Sequence, residues 1–189
     1  PAYVVALQTE LDPLYILACL NSRISTAYIL GESTKLAGGY TELQVRYVER
    51  ISIRKVTFST SNARRNSLVA QARDLYARSE RDCSGDLLAF TAQRLAAAET
   101  DVIHDLLAFL AQQMIDLNKQ KQAEVKRFLG WLEGQIGARI DDLTGKTIIQ
   151  GYLGDYQKGE GELPFADLYD RLLQNRRKLR ANLSDKAVE

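Results

Sequence analysis

Asp101-Val102-Ile103-His104-Asp105-Leu106-Leu107-Ala108-Phe109-Leu110-Ala111-Gln112-Gln113-Met114-Ile115-Asp116-Leu117 carries the strongest periodicity in the chain. Ile103, Leu107, Leu110, Met114 and Leu117 step by four, three, four and three, a heptad seam on an α-helix. Asp101 stands where a helix start favours an acidic cap. The seam breaks at Lys121 and resumes as Val125, Phe128, Leu132 and Ile136. Gly130, Gly134 and Gly137 weaken that far end, each by about 1 kcal/mol relative to Ala in a helix interior. The expectation is one long helix with Ile103–Leu117 buried, against the chain's own helices or against a second copy.

Working outward, the same reading gives more helices. Ser59-Thr60-Ser61-Asn62 is a polar break able to cap a helix, and Leu68, Ala72, Leu75 and Tyr76 mark the helix that follows. Gly85 ends it, and an Ala- and Leu-rich helical stretch runs from Asp86 to Thr100. Beyond the long helix lie a short element near 146–153, a Gly-rich connector over 154–161, and a last helix from Pro164 to about Arg180. The N-terminal part has a different texture. Tyr3-Val4-Val5-Ala6-Leu7 reads as a short strand. Asp12-Pro13 starts a helix with Leu14, Leu17, Leu20, Ile24 and Tyr28 at helical spacing and Gly31 as its stop. Leu43, Val45, Tyr47, Ile51 and Ile53 alternate as in half-buried strands, with a helical turn over Arg46–Glu49 as the alternative. The fold class expected is α+β and mostly helical: a small α/β unit over 1–58, a helical connector over 59–100, and a helical tail over 101–189.

The chain has 189 residues, 46% hydrophobic and 26% charged, ordinary values for a globular protein. No apolar run reaches the ~20 residues that span a bilayer, so no membrane partner is expected. Pro1-Ala2-Tyr3-Val4 has neither an initiator Met nor a charged n-region; it is no signal peptide and looks like a cut inside a longer protein. Cys19 and Cys83 lack Cys-x-x-Cys spacing and read as free thiols in a reducing cytoplasm. Net charge is +1, spread evenly along the chain, so the chain alone is expected to grip DNA weakly.

Chemistry concentrates in the loop between the first helix and the expected strands. Gly38 and Gly39 let the backbone approach another surface, and Lys35, Tyr40 and Arg46 flank them with groups that meet phosphates and base edges. A surface turn with solvated charges is the other reading. Leu20-Asn21-Ser22-Arg23, Gly38-Gly39-Tyr40 and Tyr47-Val48-Glu49-Arg50-Ile51-Ser52-Ile53 together carry a resemblance. The segment 1–58 resembles the TaqI-like C-terminal specificity domain of DNA adenine methyltransferases, found in fused restriction–modification enzymes and phage-exclusion methyltransferases. That family shows a short strand, a helix carrying Leu-Asn-Ser-(Lys/Arg), a glycine loop with an aromatic, and a strand ending Ile-Pro-Ile. Here Ser52 stands in place of the first proline and Arg54 where a second is frequent, which bears on the orientation of Arg54 and Lys55. In the tail, Leu110, Met114-Ile115 and Leu117-Asn118-Lys119 are similar to the family's Met-Leu-x-Leu-Asn-Lys segment; Ile140 to Thr147 and Tyr152 to Tyr156 are similar to the tails of large members. Residues 59–100 carry no resemblance.

The resemblance implies a function in site-specific DNA recognition, with Lys35, Gly38, Gly39, Tyr40, Arg46, Arg54 and Lys55 facing double-stranded DNA. It implies a parent enzyme of phage defence with an upstream methyltransferase domain and S-adenosylmethionine as that domain's cofactor. The catalytic motif Asn-Pro-Pro-(Tyr/Phe) is missing from this chain: its prolines are Pro1, Pro13 and Pro164, and none follows Asn. No strand–Gly-x-Gly–helix for the cofactor is present either. No catalytic or cofactor residue is therefore assigned within the chain.

Four further patterns each have a plainer structural counterpart. Thr144-Gly145-Lys146-Thr147 has half of a phosphate-binding loop, but the earlier Gly it needs is Ile140, which favours a simple turn into a helix. Glu124-Val125-Lys126 mimics a nuclease Glu-x-Lys without its upstream Pro-Asp, and reads as an exposed helix face. His104, the single histidine, makes no zinc site by itself and reads as a packed or solvated helical residue. Arg176, Arg177, Lys178 and Arg180 cluster near the end of the last helix, either complementing its dipole or contacting phosphates. The rival to DNA recognition is a helical interaction module that dimerises through the long helix and shows no DNA preference.

Overall fold

The computed structural model describes residues 9–34, 44–79, 85–154 and 161–181. These fall into two compact units, Pro1–Ile115 and Asp116–Glu189, and the longest helix runs through the boundary between them.

In the first unit, α1 (Pro13–Leu20) begins at Asp12, whose carboxylate accepts the Leu14 N–H at 2.7 Å, with Pro13 at the first helical position. α2 (Arg23–Glu32) begins at Ser22, whose hydroxyl accepts the Ser25 N–H at 3.2 Å. Thus the single helix expected from Pro13 to Gly31 is two, with the junction inside Leu20-Asn21-Ser22-Arg23. Asn21 closes α1, and the Ser25 hydroxyl returns to the Cys19 carbonyl at 2.7 Å. After α3 (Val45–Val48) come a stretch without regular structure over 51–59, then α4 (Asn62–Arg78), α5 (Gly85–Ala96) and the start of α6 (Thr100–Ile136).

The α+β expectation is corrected here: among the described residues there is no strand, and the fold is all-α. The expected first strand, Tyr3 to Leu7, lies outside the described residues. Over 45–53 the reason is physical. Val45–Val48 closes a helical turn, with the Glu49 N–H donating to the Val45 carbonyl at 2.9 Å. Ile53 and Val56 then pack on the helix side chains Tyr15, Ile16, Leu107 and Ala108. The Tyr15 hydroxyl donates to the Arg54 carbonyl at 3.1 Å, in the role a neighbouring strand's N–H would have filled. Alternation over so few residues is satisfied by apolar helix faces as well as by a sheet.

Two apolar clusters flank the N-terminal half of α6. Val69, Ala72, Leu87 and Phe90 of α4 and α5 enclose Val102 and Leu106. On the other flank Tyr15, Ile16 and Val56 enclose Ala108. In this half of α6 the buried apolar residues are thus Val102, Leu106 and Ala108 rather than the seam positions Ile103, Leu107, Leu110, Met114 and Leu117. Leu107 and Leu110 join the clusters in part, while Met114 and Leu117 are 62% and 51% exposed. The seam is therefore only half buried within the chain.

Polar anchors fix the turn before α6. Asp101 is fully buried; its carboxylate accepts the Thr60 N–H at 2.8 Å and the Thr60 hydroxyl at 2.7 Å. Burial pushes this carboxyl's pKa up, yet the Thr60 hydroxyl and the backbone N–H donors of Thr60 and Val102 outweigh it and hold it below its ordinary value. Glu99 joins Arg64 of α4 and Arg94 of α5 at 2.6 and 2.8 Å. Ala98, in the turn after α5, has φ +57, a left-handed conformation disfavoured for a residue with a Cβ.

In the second unit, α6 continues through Gly130 and Gly134 and stops at Gly137, whose φ of +65 is the left-handed helix terminator. A 3-10 turn (Ile140–Asp142), α7 (Lys146–Gln150), α8 (Phe165–Gln174) and a second 3-10 turn (Arg176–Lys178) follow. Leu132, Ile136, Ile140, Leu143, Ile149, Leu168 and Leu172 form the core of this unit. Fully burying each such side chain contributes about 1.5–3 kcal/mol.

Candidate nucleic-acid interface

Lys35, Gly38, Gly39 and Tyr40 lie outside the described residues. The flanks of that loop are described. On α3, the Arg46 guanidinium donates to the Tyr47 hydroxyl at 2.7 Å and lies 4.8 Å from the centre of that ring. Tyr47 is buried, and its hydroxyl is 3.4 Å from that of Thr34, at the end of α2. The Thr34 hydroxyl, and after it the Arg46 guanidinium, lower the Tyr47 pKa from its usual value. Arg46 is thus fastened to a buried ring while remaining exposed.

Arg54 and Lys55 are set by their neighbours. Ile53 and Val56 turn inward and Arg54 is tied by its carbonyl to Tyr15, so the two side chains between them stay in solvent. Neither forms an ion pair with a described carboxylate. The Tyr15 hydroxyl behind them has its pKa pushed up to about 12, first by burial and then by a hydrogen bond with Cys19.

In the second unit, Arg176, Arg177 and Lys178 make up the 3-10 turn that follows α8, and Arg180 comes directly after it. All four side chains are exposed. The turn is fixed by Asn175, which is 2% exposed. Its amide oxygen accepts the Thr144 N–H at 2.8 Å, and its amide nitrogen donates to the carbonyls of Thr144 and Arg171 at 2.9 and 2.8 Å. Lys178 donates to the Asp142 carbonyl at 2.9 Å. The Arg180 N–H then donates to the Ile136 carbonyl at 2.9 Å, and a Cβ on Gly137 would come within 2.6 Å of the Arg180 Cβ. Arg176, Arg177 and Arg180 have no carboxylate partner among the described residues.

The other patterns resolve into packing. Thr144-Gly145-Lys146-Thr147 makes the turn into α7, with Gly145 at φ +76. Glu124 pairs with Arg127 on an exposed face of α6. His104 is buried: its Nε2 accepts the Asp12 N–H at 3.0 Å, which leaves the proton on Nδ1, 2.8 Å from an Asp105 carboxylate oxygen. No group of three or more His, Cys, Asp or Glu is placed to hold a metal among the described residues. No described helix is long and apolar enough to cross a membrane.

Sequence reasoning missed Asn175 and Thr60, whose importance depends on partners 31 and 41 residues away. The helix expected from Pro164 to about Arg180 covers Asn175, whereas α8 ends at Gln174, so no signal in that reading marked it. Comparison with protein-family models, curated proteins and solved structures gave no match.

Proposed function

We propose that this chain is a DNA-recognition and tail portion of a site-specific adenine DNA methyltransferase of the restriction–modification or phage-exclusion type. The observation that carries the reading is the set of exposed cations without carboxylate partners on anchored backbone: Arg54 and Lys55 beside Tyr15, and Arg176, Arg177 and Arg180 beyond Asn175. Such groups are free to meet phosphates without first giving up a carboxylate. The motif resemblance supplies the enzyme class. In this reading methyl transfer and S-adenosylmethionine belong to the upstream domain, the DNA is double-stranded, and the enzyme works in the cytoplasm. The all-α fold takes away the sheet that the family pattern implies, so the reading rests on the motifs and the cations.

The test is anisotropy of a labelled duplex titrated with the chain over a range of salt. Weak binding that falls steeply with salt is expected, and R54A/K55A should lower both the affinity and the salt slope. Absence of salt-dependent binding would remove DNA as the partner.

A second reading has its own observation. Met114 and Leu117 lie exposed on α6 at heptad spacing, as in a helix that pairs with another chain. Concentration-dependent sedimentation abolished by Leu117→Glu, without DNA binding, would favour that interaction module.

A further inference from the structure

The geometry points to a discrete phosphate-binding pocket at the C-terminal end of α8, formed by Arg176, Arg177 and Lys178 opposite Thr144. This site deepens the DNA reading and rests on it only for the source of the phosphate. A concavity of about 450 Å³ lies there, lined by these three cations with Thr144, Gln174 and Asn175. Among the described residues no carboxylate lines it. The other concavities described differ in that respect. The groove along α6 sets Glu133 and Asp141 against Lys121 and Lys126. The hollow beside α7 sets Glu162, Asp167 and Asp170 against Arg171. The one below Trp131 sets Glu124 against Arg127. An excess of positive charge in a concave site attracts an anion; balanced charges do not.

The frame is also rigid where it needs to be. Asn175 is buried and makes three hydrogen bonds, two with Thr144 and one with the Arg171 carbonyl, so it ties Thr144 to the end of α8. Lys178 donates to a neutral carbonyl, which orients its ammonium without cancelling its charge. Arg176, Arg177 and Lys178 all line the one concavity, and several cations at one hollow suit a ligand with several anionic oxygens, better matched to phosphate groups than to a single carboxylate. Guanidinium forks suit such oxygens two at a time. The phosphate could be a phosphodiester of a DNA backbone or part of a free polyphosphate; the chemistry recognised is the same.

The experiment is calorimetric titration of the full chain with inorganic tripolyphosphate at low salt, beside duplex titration by anisotropy. Saturable tripolyphosphate binding is expected, weakened at least about tenfold in R176A/R177A and unchanged in R54A/K55A. R176Q/R177Q, which keeps much of each aliphatic stem, should behave like the Ala pair if charge is responsible, and R176K/R177K should recover part of the binding. Melting temperatures of all variants are compared, since these exposed side chains leave the fold intact. If the double Ala variant also weakens duplex binding and lowers the salt slope by about two, the ligand is the DNA backbone. Loss of tripolyphosphate binding with unchanged duplex binding keeps the pocket, assigns it to a free polyphosphate, and takes this face out of the DNA reading. No saturable binding by the wild-type chain, or equal binding by a folded R176A/R177A or R176Q/R177Q, overturns the pocket.

Discussion

Asn175 satisfies three backbone groups with one buried amide, and two of them belong to Thr144. Replacing it by Ala strands buried donors and acceptors, each worth about 1–3 kcal/mol when left unpaired. Asn175→Ala should therefore lower unfolding free energy by about 2–5 kcal/mol in urea titrations, and Asn175→Asp should do no better, since a carboxylate would face two carbonyl oxygens. Asp101 works through charge. Its native pKa is depressed by its net hydrogen bonding, so the stability it contributes is present above the unfolded carboxyl value of about 3.9 and lost as pH falls through the lower native value. Thr60→Val removes one charge-assisted hydrogen bond, a loss of about 1.5–3 kcal/mol near neutrality that should shrink in acid. Urea melts of both proteins at neutral and acid pH check this; a difference independent of pH would mean that Asp101 is not the group concerned. Asn175 is not legible in sequence and Asp101 only as a residue at a helix start, because each acts on a partner brought close only by the fold.

At the scale of elements, α6 is the most legible part of the chain: an apolar period sustained over many turns admits few alternatives, although Gly130, Gly134 and Gly137 read alike as weak points and only the last of them ends the helix. Asp12-Pro13 likewise gave the start of α1. The short alternation over 45–53 forms no strand, and the helical turn held as the alternative over Arg46–Glu49 is there as Val45–Val48, since a handful of residues fits a strand, a helical turn and an irregular stretch equally. The cations of 176–180 were visible, but the concavity they line was not. Within the chain Leu106 lies deeper than the seam position Leu117, and that yields a paired expectation. Leu106→Ala should cost about 2–5 kcal/mol, while Leu117→Ala should stay within about 0.5 kcal/mol in the isolated chain, both read from thermal or urea unfolding. A large loss at Leu117 would mean that the exposed half of the seam is covered in solution. In the turn between α5 and α6, Ala98→Gly relieves a left-handed conformation worth about 1–2 kcal/mol, partly offset by the freer unfolded chain. A small rise in melting temperature is expected; a fall would place the strain elsewhere.

For the whole molecule, the two compact units have separate cores, and both take side chains from α6. A helix of 37 residues is about 55 Å long, several times the usual length in globular proteins. Its residues 111–127 enter none of the apolar clusters that fasten residues on either side of them. Helices in proteins draw most of their stability from packing an apolar face, and this stretch keeps polar contacts such as Lys121 to the Gly154 carbonyl but joins no apolar cluster, so the hydrogen-bond ladder of α6, though continuous, is not uniformly protected. In amide hydrogen exchange the N–H groups of 111–127 should open on their own and exchange well ahead of those of Val102–Leu110 and Phe128–Ile136. One helix would then show three clocks, the outer two each tied to the unfolding of its own unit, and a single rate along its length would mean instead that the chain comes apart as one body.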